Sequence, residues 1–171
     1  PDFVTNFKAT LARHDARPER IELELTENVL IADPVAAAKK LAQLRRLGVT
    51  IALDDFGTGF SSIGYMRTFP FDRVKIDRSF THELEDGTAD TTLIHALVGV
   101  ATAMKLPTVA EGVETAEQVR LLHLSGCECI QGYFLHRPAP APLMEEYVRT
   151  HRAKPAESAA GGGAIVQMKR R

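Results

Sequence analysis

The stretch VTIALDDFGTGF, residues 49–60, runs from an apolar segment into two adjacent acids and then a glycine-rich turn. Its first half has the period-2 pattern of a strand, with Ile51 and Leu53 on one face and Ala52 and Asp54 on the other. Carboxylates are depleted in strands, so a strand closing on Asp54 and Asp55 asks for a positional reason. α/β folds supply one, because their chemistry gathers at the carboxyl ends of parallel strands.

Working outward, strand-like and helix-like segments alternate. Upstream, DPVAAAKKLAQLRRLG (33–48) reads as a helix capped by Asp33, entered through Pro34 and stopped by Gly48. Before it, IELELTE (21–27) alternates apolar and acidic residues as a strand. DFVTNFKATLARH (2–14) is a helix with Asp2 as N-cap and Phe3, Phe7 and Leu11 on one face, read as core. Downstream come RVKIDRSF (73–80) as a strand, TLIHALVGVATAMK (92–105) as a buried helix and LPTVAEGVE (106–114) as a strand. TAEQVRLLHLSG (115–126) carries a capping box, Thr115 with Gln118. CECIQGYFL (127–135) is the last strand and PLMEEYVRTH (142–151) the last helix. Residues 151–171, with the Gly-rich run ESAAGGGAIVQMKRR, have the composition of a flexible tail. Five strands, nearly all followed by helices, predict a parallel α/β sheet, either doubly wound or closed toward a barrel.

The bulk numbers bound the function. A chain of 171 residues, 44% hydrophobic and 25% charged, holds one sizeable core. A net charge of −1 lacks the basic excess of a long nucleic-acid footprint. No apolar run reaches the roughly 18 residues of a membrane span, and no signal peptide is visible, so this segment predicts no membrane contact. Cys127 and Cys129, two apart, suit neither a mutual disulfide nor a metal site, which fits a reducing compartment. The chain opens without Met and reads as a piece of something longer.

Alternation brings a polar residue to the far end of each strand: Glu24, Asp54 with Asp55 just beyond it, Lys75, Glu111 and Gln131. Asp55 is expected to be leaving its strand, turned toward the others by the Gly-Thr-Gly loop. Four converging carboxylates would repel without a cation. Oxygen ligands without Cys or His suit Mg²⁺ or Mn²⁺, and adjacent acids suit two ions, the arrangement that clamps attacking and leaving oxygens in phosphoester hydrolysis. Lys75 could neutralise a phosphate or orient water.

Blander readings compete with this. Asp-Asp before glycine is commonly turn chemistry. Lys75 and Asp77 could form an ion pair along one strand face, with Asp77 as support. Glu22 is expected to partner a buried cation. Thr58, Ser61 and Ser62 could contact phosphate, although a GTG turn alone is weak evidence. The six histidines show no ligand spacing.

ELTE, LDDFGTGFSSIGYM, KIDRSF, VAEGVET and CECIQGYFLHRP, in this order, resemble the EAL-domain family from about Phe3 to Val148. The resemblance implies a partial TIM-like (βα) barrel of about five strands with flanking helices. Residues 1–150 would be the C-terminal part of an EAL phosphodiesterase domain. It implies a phosphodiesterase that opens cyclic di-GMP to linear pGpG with Mg²⁺ or Mn²⁺ at a two-metal site. Glu24, Asp54 and Asp55 would be metal ligands and Lys75 would position the attacking water. Glu111 would be general base or a water-mediated ligand, and Gln131 would line the substrate site. Glu27 would anchor the DDFGTGF loop, and Glu114 and Asp77 would support. The resemblance further implies a homodimer through that loop and a cytoplasmic module of a larger protein. The naming Glu-Ala-Leu motif and the following Asn ligand do not occur here, so the chain is expected to be N-terminally truncated, lacking about three strands. A non-catalytic cyclic di-GMP receptor or interaction module is the alternative, disfavoured by the intact rim acids. An unrelated sugar-phosphate barrel enzyme would explain the acids but not the ordered motifs.

Overall fold

The computed structural model describes residues 2–58, 63–84, 91–150 and 165–167. Helix α1 (Phe3–Arg13) leads through a 3₁₀ turn to β1 (Glu22–Leu25), α2 (Glu27–Ala32), α3 (Pro34–Arg46) and β2 (Thr50–Phe56). Then follow α4 (Ile63–Thr68), β3 (Arg73–Ile76), α5 (Arg78–His82), α6 (Thr92–Ala103) and β4 (Thr108–Ala110). The chain continues through α7 (Ala116–Leu124), β5 (Cys129–Gln131), α8 (Ala141–Thr150) and β6 (Ile165–Gln167).

The sheet order is β1-β2-β3-β4-β5-β6, with β1 to β5 parallel and β6 antiparallel to β5. A doubly wound sheet reverses its strand order at a switch point. Strictly sequential parallel strands are instead the arrangement of a (βα) barrel segment, which settles the choice that composition left open.

The outward residues Leu23, Leu25, Ile51, Leu53, Val74 and Ile76 pack with Leu41 and Leu44 of α3, Ile94, Val98 and Ala101 of α6 and Leu122 of α7 in one core. Truncating a fully buried leucine in such a core costs about 2–5 kcal/mol. The start signals act as read: Asp33 accepts from Ala36 N at 3.0 Å, and both capping-box bonds between Thr115 and Gln118 form. Gly48 ends its helix with φ +99°, where glycine avoids the Cβ clash of the left-handed region.

Several expectations fail locally. Phe3 is 54% exposed, stacked on Phe7, while Val4 and Leu11 are the buried residues of α1. Asp2 sits at the N-cap position but makes no capping bond. The strand read across 73–80 ends at Ile76, and Asp77 starts α5 instead, its side chain accepting from Ser79 N. Short helices α2 and α4 were not foreseen. Within the C-terminal tail, Ile165–Gln167 pair with β5; the rest of 151–171, like Ser61 and Ser62, lies outside the described residues.

Candidate metal centre

Lys75 is the hub. It lies on the inner face of β3, its side chain 3% exposed, with Nζ 2.7 Å from Glu24 Oε2, 2.5 Å from Glu111 Oε1 and 3.1 Å from Asp54 Oδ1. Three strand ends, β1, β2 and the residue after β4, thus turn carboxylates onto one ammonium. Burial alone would push the Lys75 ammonium toward neutrality, but its hydrogen bonds to Glu111 and Glu24 outweigh that and raise its pKa above the ordinary value. Lys75 therefore stays charged and can donate but not accept. Burial raises Glu111, with the charges of Asp54 and Glu24 adding to the rise and Lys75 opposing it. One layer deeper, Arg73 Nη1 stands 3.6 Å from Glu22 Oε1, the cation partner expected for Glu22.

How two consecutive residues serve one rim is answered by a β-bulge. Leu53 pairs with Val74 but Phe56 pairs with Ile76, so Asp54 and Asp55 together oppose Lys75. Asp55 remains within β2 and takes a left-handed backbone, φ +55°. That conformation is uncommon for a residue with a side chain and collects at functional sites. The outcome is that carboxylate oxygens of Asp54, Asp55 and Glu111 lie within 4.8 Å of one another. The Asp55 pKa is raised by burial and by the neighbouring Asp54 and Asp77 charges, with Lys75 opposing.

This group fits a divalent cation. Asp54 Oδ1 is buried, stands 3.1 Å from Lys75 Nζ, and has no other polar partner among the described residues. A buried anionic oxygen beside two further carboxylates, with no sulfur or imidazole in the group, suits a hard oxygen-binding ion. Glu24 falls outside this group and joins it through Lys75.

The other expected site residues are placed as follows. Asp77 does not pair with Lys75; Ser79 N and Oγ donate to its Oδ1 at 2.9 and 2.6 Å, and although burial works against it, these bonds lower its pKa. Glu27 opens α2, with Oε1 buried and without a hydrogen-bond partner. The Glu114 side chain is exposed, while its backbone N–H donates to Gln118 Oε1 at 2.7 Å. Gln131 ends β5, where its carbonyl accepts from Val113 N at 3.1 Å. Part of the DDFGTGF loop, from Gly59, lies outside the described residues. Sequence reasoning read Gln118 only as a capping-box residue; it is also fully buried and donates to Thr81 O at 3.2 Å, tying α7 to α5. The capping box was its only signal. Among the described residues, no helix is long and apolar enough to cross a membrane.

The family model described as EAL domain matches residues 1–138. Cyclic di-GMP phosphodiesterase NbdA of Pseudomonas aeruginosa is 41% identical over 132 residues, covering 77% of this chain and 17% of NbdA. The solved complex of the PaMucR phosphodiesterase with c-di-GMP is 40% identical with TM-score 0.76, over 82% of this chain and 57% of that one. The manganese and c-di-GMP complex of Klebsiella pneumoniae BlrP1 is 31% identical with TM-score 0.72, over 81% of this chain and 36% of that one. The chain therefore spans less than two thirds of the length of each of these proteins, and over the part it spans, it belongs to the EAL domain family.

Proposed function

We propose that this chain carries the catalytic rim of a metal-dependent phosphodiesterase that hydrolyses cyclic di-GMP to the linear dinucleotide pGpG. The observation that carries the reading is the gathering of carboxylate oxygens of Asp54, Asp55 and Glu111 within 4.8 Å of one another, beside a buried charged lysine. Relatives with the same fold support the substrate: the MucR and BlrP1 structures are c-di-GMP complexes, and BlrP1 is solved with manganese or calcium.

In this reading Asp54 and Asp55 would hold Mg²⁺ or Mn²⁺ at a two-ion site, with Glu24 as a further ligand. Bound ions would supply charge neutralisation at the phosphodiester and activation of a water. Lys75, its pKa raised by Glu111 and Glu24, donates a hydrogen bond that orients the attacking water or the phosphoryl oxygen. Glu111, whose raised pKa makes it a better proton acceptor than an ordinary carboxylate, takes the proton from water. Water attacks phosphorus, the bond to one 3′ oxygen breaks, and that oxygen leaves as a hydroxyl by taking a proton from solvent, to which Glu111 returns the one it accepted. Gln131, at the end of β5, would line the substrate site. Glu27 would anchor the loop after β2, and Asp77 and Glu114 would hold the turns after β3 and β4. A homodimer through the 54–60 loop follows from the family resemblance; sedimentation equilibrium with and without Mn²⁺ checks it.

The test is incubation of the chain with cyclic di-GMP and Mn²⁺ or Mg²⁺, following pGpG by chromatography. Product from the parent but not from Asp54→Asn supports the reading. Binding without product favours a receptor, and neither binding nor product removes both.

A further inference from the structure

The turn that aims Asp55 has a support outside the acid cluster. Gly57 has φ +102°, and a Cβ placed on it would meet Phe80 Cε2 at 2.5 Å, Phe80 Cζ at 2.8 Å and Leu97 Cδ1 at 3.2 Å. The Phe80 ring is therefore seated on the glycine backbone, with Leu97 of α6 beside it. The same turn is tied at three further points. Thr58 donates to the Asp55 carbonyl from N at 3.3 Å and from Oγ1 at 2.9 Å. Asp77 N donates to Phe56 O at 3.4 Å. Phe80 N in turn donates to Asp77 O at 3.2 Å, so the turn after β3 grips the turn at the end of β2 through both backbone and ring.

Asp55 needs such a grip. A left-handed backbone at an aspartate beside a like charge persists only where surroundings over-determine it. The Thr58 bonds restrain the turn from within, and the Phe80 ring, with Leu97 beside it, closes over Gly57.

We propose that Phe80 is a positioning residue for the acid pair: its ring, closed over Gly57, fixes the backbone turn that swings the Asp55 carboxylate onto the rim beside Asp54 and Glu111. The inference rests on the metal-site reading above. It makes a core-flanking phenylalanine set metal affinity rather than only stability, through contact with a glycine rather than with a ligand.

The test is titration of the full chain with Mn²⁺, reading free ion by electron paramagnetic resonance, alongside thermal melts. Phe71, buried and placed before β3 at the end away from the rim, is the control for lost aromatic packing. Removing a residue that orients a ligand costs about tenfold or more in metal affinity. Phe80→Ala is expected to lose that much, and Phe80→Leu, which keeps an apolar side chain over Gly57, to lose less. Phe71→Ala should lower the melting temperature yet keep Mn²⁺ affinity within about twofold, well short of a positioning effect. If Phe80→Ala does not melt cooperatively, Phe80→Leu carries the comparison and must still bind Mn²⁺ more weakly than Phe71→Ala. Equal affinity for parent and Phe80 variants overturns the role of Phe80 alone. A parent chain that takes up no Mn²⁺ overturns the metal site and this proposal with it.

Discussion

On its outer face the sheet offers Leu23, Ile51, Leu53, Val74 and Ile76 to the helices, and on its inner face the same strands offer Glu22, Glu24, Asp54, Arg73 and Lys75. The outer face is held by area: many apolar contacts, each small, none indispensable to the chemistry. The inner face is held by one buried cation shared among three carboxylates. Damage to the outer face should therefore change stability and spare the rim, whereas damage to the inner face should change chemistry first.

Lys75→Met strikes the inner face hardest. Loss of its oriented donor should lower turnover by about 10²–10³-fold. Leaving three carboxylates without their shared cation should also destabilise the metal-free chain by about 3 kcal/mol in urea titrations, a loss that added Mn²⁺ partly recovers. Leu41→Ala strikes the outer face. It should cost about 2–5 kcal/mol by the same titration while leaving Mn²⁺ affinity unchanged; a weakened metal site there would break the contrast between faces. Gly57→Ala lies where the faces meet. Its positive φ and the Phe80 ring should make it cost about 1–3 kcal/mol and weaken Mn²⁺ binding as well.

The gentlest probe is pH. The folded pKa of Lys75 is raised above the ordinary 10.5, so its contribution is fully present below that pH and is lost as pH climbs through the folded value. The Lys75 component of metal-free stability should hold from neutral pH to about 10 and then fall by at most about 1.4 kcal/mol per pH unit, on top of an earlier decline from Cys127 and Cys129, whose thiols burial raises above 9.0. Lys75→Met should lack that component of the alkaline decline.

The outer face was legible in the sequence because burial against helices imposes strict alternation on IELEL and TIAL and marks α3 with Asp33, Pro34 and Gly48. The rim acids were legible for the same reason, as polar residues where alternation reaches the strand ends. Alternation misled at two points. It set Asp55 apart from Asp54, because a bulge is fixed by pairing with β3 and leaves no local signature. It also carried β3 through Asp77, because the Asp-x-Ser cap that begins α5 imitates one more strand residue. The helices α2 and α4, six residues each, are too short for a 3.6-residue period to show. Phe3 looked like core because its partner Phe7 shares its helix face; the two stack on each other instead.

The central claim is that the bulged acid pair is a metal centre, and Mn²⁺ titration of the parent chain and Asp54→Asn by electron paramagnetic resonance tests it most directly. The parent should take up Mn²⁺ and the variant should lose about tenfold or more in affinity, with the melting temperature of the metal-free proteins little changed. Equal Mn²⁺ uptake by both chains would contradict it.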